Sequence, residues 1–468
     1  MIVRASLLAW LLLAPLAASA QARGAPGGRC AFQFFNRYET EPRLAVNTLP
    51  SGVRHIFLGG GVRAVCAAQN IIVLADSMES YEDTRITNLI GNVHYTEPRL
   101  TLNAARLTYW ENEERLRAEV NVDATLPSGT NLKGPVVDYY RAARGLRQQT
   151  RMVAPRRPTI LIVDLADGGS SSEPTQVVAN TVVMEADSLM YASGNVVLTR
   201  PDLVARGDSA FVDNGREFAR LMRRPVVEGT GERPFTLTGR VVDVFGRSRS
   251  LERAVATGDG KVLSDSTTIT ADTLDFRMVE GRLARSFAWG PTRARVTSPS
   301  YDVLADSLDV QMPNQRVERV YAVGGAYMES DPDSTLFRSA ERDWLRGDTI
   351  IAQFDTSEAA RRDTTGVAIE QLDALGSARS FYQLAPRDTT AVRPAINYVT
   401  GNTIRVLFDD RQVERVSVTG RASGVYVEPD QIADAPGARP SPTSTPATRP
   451  PPPPTPPDAG RRPPGQTP

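Results

Sequence analysis

The chain runs to 468 residues, 41% of them hydrophobic, and its 54 lysines and arginines are balanced by 54 aspartates and glutamates. Phosphate binding needs clustered positive charge, and no such stripe is present, so nucleic acid is excluded as the partner. The length is large for one globular core, whereas a stacked array grows in one dimension and escapes that limit.

Residues 1–20 read as a secretory signal peptide: Arg4, an apolar run from Leu7 to Leu16, then the small-residue site Ala18-Ser19-Ala20 before Gln21. The run is too short to span a bilayer, so the mature chain is expected outside the cytoplasm with no transmembrane segment. A leader, residues 21–64, follows. It holds Cys30, and Cys66 lies just beyond; the chain has no other cysteine. In an oxidising compartment Cys30 and Cys66 are a candidate disulfide, the alternative being two unpaired thiols. His55 and His94 are the only imidazoles and stand in no ligand-like spacing, so neither a metal nor a cofactor is expected.

From Ile71 onward apolar and polar residues alternate at period two, as in Leu116, Ala118, Val120 and Val122, which predicts strands with one face buried and one wet. Tyr139 to Gln149 has helical propensity, but its counterpart after Gly239 is Val-rich, so both are read as extended. Leu165 to Pro174 is a loop, and Asp331 to Thr335, Arg361 to Thr365 and Pro386 to Pro394 are expected insertions. Folding ends near Glu428-Pro429. Residues 431–468, with an unbroken proline run at 450–454, form a tail that cannot bury a core.

Between these limits one short box recurs. Ala186-Asp187-Ser188-Leu189-Met190-Tyr191 leads into Gly194-Asn195-Val196, and reads as a strand, a tight turn and a second strand. Ala75-Asp76-Ser77, Gly207-Asp208-Ser209, Ala271-Asp272-Thr273-Leu274, Ala305-Asp306-Ser307-Leu308, Gly347-Asp348-Thr349-Ile350 and Gly401-Asn402-Thr403-Ile404 repeat the pattern. Gly91-Asn92-Val93 also matches Gly194-Asn195-Val196 at a displacement of 103 residues. Internal repetition of this kind means stacked units sharing one continuous core.

The box, leading through Gly-Asn-Val, resembles the OstA-like (LptA-like) periplasmic family of lipopolysaccharide transport, in tandem copies over residues 65–164, 175–330 and 331–430. The resemblance implies an all-β fold, an elongated folded-over β-jellyroll of two stacked antiparallel sheets built from tandem repeats. It also implies a greasy interior for acyl chains, a ligand that is lipopolysaccharide or a related glycolipid, and Lpt-type transport proteins as partners joined end to end by β-augmentation. About 24 strands in two sheets would make a body about 60 Å long.

No nucleophile elbow, phosphate loop or metalloprotease motif is present. Asp76, Asp187, Asp272, Asp306 and Asp348 are expected at one repeated position, where a carboxylate accepts backbone N–H bonds; paired acid and base catalysis and calcium binding are the alternatives. The chain is therefore read as no enzyme, and the interior becomes the candidate site. Its lining is expected from Leu189, Tyr191, Val196, Leu198, Leu274, Phe276, Leu308, Val310, Ile350, Phe354, Ile404, Val406 and Phe408. The same residues would equally close the dry core of a structural envelope protein, and an accessory role in outer-membrane assembly is a further alternative.

Overall fold

The computed structural model describes residues 32–429, except 38–42, 164–173, 231–233, 248–249, 265, 281, 314–315, 333–336, 338, 357–368, 387–392 and 410–411. The expected signal peptide, Cys30, the Pro-rich tail and most of each expected insertion lie outside the described residues. The fold is all-β. All 28 strands belong to one antiparallel sheet, and no α-helix occurs among the described residues.

Neighbours in sequence are neighbours in the sheet. Ile71–Tyr81 pairs with Ile86–Glu97, that strand with Leu100–Trp110, and the meander continues to Ala395–Asp409 and its partner Ser423–Val427. Some passes are interrupted at their middle, and two short strands then share one pass, as Thr175–Val178 and Thr181–Glu185 do against Leu189–Thr199. Pairing also runs unbroken from Thr159–Ile162 into Thr175–Val178 and from Arg319–Ser330 into Asp343–Phe354, so the three repeat regions share one sheet.

Every second pass carries a crease at its centre. Gly91-Asn92, Val120-Asn121, Gly194-Asn195, Gly258-Asp259 and Gly376-Ser377 are pairs of left-handed residues, and the register shifts at each of them. Each pair opposes a single residue of the neighbouring pass, which makes a two-against-one bulge and bends the strand sharply. The sequence fits this bend. At Gly194, with φ of 76°, an added Cβ would also lie 2.6 Å from Asn180 Nδ2 on the facing pass. Only glycine satisfies both the dihedral and the close approach.

The crease divides each pass into two halves and the sheet into two wings. Residues 189–193 and 209–213 belong to the first wing, and 196–199 and 203–207 to the second. One face of both wings is buried; in Leu189–Thr199 this is Met190, Ala192, Val196 and Leu198. With no helix to cover that face, the wings must cover each other. At the crease the inner row alternates large and small: Ala256, Leu274, Ala288, Leu308, Ala322, Ile350, Ala374 and Ile404 are successive cross-strand partners, none more than 3% exposed. Such alternation lets large side chains fill space left by alanines next door.

The outer row beside it is polar and internally paired. Arg220 grips Asp243, Arg253 grips Asp275, and Arg405 grips Asp373, each through two guanidinium nitrogens. Asp275 is fully buried, yet Arg253 and Arg277 both pair with it, so no charge is stranded. These arginines thus serve the outer face.

Several expectations need correction. Ala186-Asp187-Ser188 is the hairpin turn between Thr181–Glu185 and Leu189–Thr199, with Ala186 and Asp187 left-handed, and does not sit at the crease. The crease residue of that pass is Asn180, in Ala179-Asn180-Thr181-Val182. Gly194-Asn195 lies within one strand and is no turn between two. The segment 141–150 is a loop, the extended reading holding only to Tyr140. The two layers are wings of one creased sheet, and each pass contributes to both. Roughly 20 passes at about 4.8 Å each make a body about 100 Å long, beyond the 60 Å expected from separate sheets.

Candidate functional site: the interior and its seam

Nine of the thirteen expected lining residues point into the buried interior: Val196, Leu198, Leu274, Phe276, Leu308, Val310, Ile350, Ile404 and Val406. Phe354 and Phe408 are half-buried and pack against the same core. Leu189 is half-buried and Tyr191 is 44% exposed, because the strand turns Met190 and Ala192 inward instead. Tyr191 joins an outer-face aromatic run with Phe211, Phe218 and Phe245, at ring spacings of 5.1, 6.2 and 5.1 Å.

The interior is tightly filled. Leu274, Phe276, Leu308 and Val310, with Ile269, Ser286, Phe287 and Ala288, surround a cavity of about 10 Å³. That is room for about one water, far short of an acyl chain. A second space of about 10 Å³ lies where the wing edges approach, between Thr130 and Ile162 on one side and Met184, Asp187, Leu189 and Val212 on the other. Burial pushes the Asp187 carboxyl up, against the pull of Arg99.

The other box carboxylates are engaged locally. Asp76 accepts 2.8 Å from Asn92 Nδ2, Asp272 accepts 3.2 Å from Thr273 Oγ1, and Asp306 pairs with Arg293 at 3.1 Å. Asp76 and Asp306 thereby tie adjacent passes at the crease, while Asp272 is held within its own strand. Among the described residues no group of three or more His, Cys, Asp and Glu is placed to hold a metal ion. Cys66 is fully buried and disulfide-bonded.

The seam where the wing edges meet carries a polar cluster that sequence reasoning missed. Arg141, just past the first-wing end of Asn131–Tyr140, donates to Glu97 at 2.9 Å and to Gln69 at 2.5 Å, both on the second-wing edge. It also donates to Glu114 at 2.8 Å on its own edge. Tyr139 and Tyr95 give their hydroxyl protons to Glu97, and Tyr109 gives its own to Glu114. Burial, with Glu97 beside them, raises the pKa of Tyr95 and Tyr139, which keeps both as donors. Tyr139 and Arg141 lie 42 and 44 residues from Glu97, which leaves no local spacing to read. Further along the second-wing edge, Asp343 is buried and accepts from the Gln383 backbone N–H at 2.9 Å. Burial lifts its pKa to about 6 despite the Gln383 hydrogen bonds.

No protein-family model matches the chain, and no curated protein matches it either. No helix among the described residues is long and apolar enough to cross a membrane.

Proposed function

We propose that the chain is a periplasmic carrier of lipopolysaccharide or a related glycolipid, bridging the inner and outer membranes without catalysis. Acyl chains ride between the wings while sugars stay in water. The observation that supports this most is the apolar inner row, which continues from pass to pass without a polar break from Ala256 to Ile404. Each buried methylene contributes about 0.8 kcal/mol, so an acyl chain of about a dozen supplies about 10 kcal/mol toward parting the wings. The exposed edges suit end-to-end strand addition by Lpt-type partners. Arg43–Thr48 is exposed throughout, with Leu44 at 60%, and so is Ser423–Val427, with Val425 at 58%.

The cavity of about 10 Å³ favours a second reading, a structural β-repeat protein of the envelope whose core stays shut. A photo-crosslinking amino acid at Leu308 in the exported full-length protein separates the two. Capture of lipopolysaccharide there, and none from the same group at Tyr191 on the outer face, is the expected result. Equal capture or none at both positions sinks the carrier.

A further inference from the structure

We infer that the trough admits acyl chains only along its C-terminal half, because a polar clasp centred on Arg141 and Glu97 ties the wing edges together across its N-terminal third. This rests on the carrier reading and adds where the ligand is let in.

The clasp is built across the seam. Arg141 and Tyr139 come from the first wing, and Glu97, Tyr95 and Gln69 from the second. Its side chains are largely out of water, with Glu97 7% and Arg141 13% exposed. One Glu97 carboxylate takes three donors, and the guanidinium reaches acceptors on both edges. A hydrocarbon chain sliding between these edges would strip the donors from Glu97 and offer nothing back, and buried unpaired charge is strongly disfavoured. Passage here requires the whole cluster to come apart together.

The C-terminal half offers a different edge. Met278, Val320, Phe354 and Phe408 stand at the first-wing margin, half-buried and packed on the core, and the cavity under Phe276 lies behind them. At this margin an acyl chain exchanges apolar contacts for apolar contacts, and the buried Asp343 and Gln383 of this half pair with each other on the second-wing edge, not across the seam. The ligand implied is the hydrocarbon part of a glycolipid, and the charged headgroup has no role in choosing the half.

The test uses full-length protein with a photo-crosslinking residue at Leu107 or at Phe276, mixed with purified lipopolysaccharide. It is run in the parent and in a Glu97→Gln/Arg141→Met variant, which removes both charges together. Circular dichroism checks folding. The parent is expected to capture lipid at Phe276 and not at Leu107, and the variant to raise capture at Leu107 to the Phe276 yield. Equal capture at both positions in the parent overturns the inference, as does a folded variant with no gain. Spin labels at Pro98→Cys and Glu111→Cys, on opposite edges, report the clasp without lipid. Their separation should lengthen and broaden in the variant, and an unchanged narrow distribution overturns the clasp. Capture at neither position with the expected label response sinks the carrier reading, and with it the admission of lipid, while leaving the clasp as a seal.

Discussion

The N-terminal third and the C-terminal half of the sheet share one backbone design and differ at their margins. Both crease in every second pass, at a left-handed pair in all but Arg282–Thr297, and both bury an apolar inner face. In the N-terminal third the wing edges are joined by Arg141 and Tyr139 from one side and Glu97 and Gln69 from the other. In the C-terminal half the first-wing margin ends in half-buried Met278, Phe354 and Phe408. The crease therefore sets the shape, and the edge decides whether the two faces can separate.

The comparison is most easily broken at Glu97. Glu97→Ala leaves the buried Arg141 with Glu114 as its remaining counter-charge and two tyrosine hydroxyls without their acceptor, and should cost about 3 kcal/mol in urea unfolding. A loss below about 1 kcal/mol, the value of an exposed pair, would mean the N-terminal edge is no more tied than the rest.

Asp343 sharpens the contrast from the other half, since its edge carries a buried carboxyl with no cation in its hydrogen bonds. Its folded-state pKa of about 6 lies above the ordinary 3.8, so between those values the folded chain holds the proton more tightly than the unfolded chain. The stabilisation is full below the unfolded value and lost as pH rises through about 6. Asp343→Asn keeps an acceptor for the Gln383 N–H. It should match the parent at pH 4 and exceed it by about 2 kcal/mol at pH 7, allowing for partial screening, as read from unfolding midpoints at the two pH values.

The smallest effect tests what the regions share. Gly194→Ala and Gly420→Ala each place a Cβ at φ above 70° and 2.6 Å from an asparagine Nδ2 on the facing pass, Asn180 or Asn402. Each should cost about 1–2 kcal/mol, and the two costs should agree. Removing the facing asparagine should recover part of the loss, measured as a double-mutant cycle.

Much of this architecture was legible in the residues. Period-two alternation announced the strands, and the boxes at Asp272, Asp306, Asp348 and Asn402 marked four of the passes that face a crease. Misreading began where one residue preference serves two geometries. Asp and Ser suit a hairpin turn as well as a crease, so the residues alone place Asp187 with Asp306, although Asn180 holds the equivalent place. Gly-Asn likewise favours any left-handed pair, whether it closes a turn or bends a strand in its middle. That shift in where the pass starts moves the parity by one, so the pattern puts Leu189 and Tyr191 inside where the strand has Met190 and Ala192. The clasp was invisible for a different reason. Glu97 and Arg141 meet only because folding the sheet brings two distant margins together.

Because bent and straight passes alternate strictly, the molecule has a unit of growth. Adding a single pass would set two bends side by side and leave neither with its lone opposing residue. Two passes restore the alternation, so such a chain can lengthen or shorten only by whole hairpins, in steps of about 10 Å. Its reach is quantised by the bend.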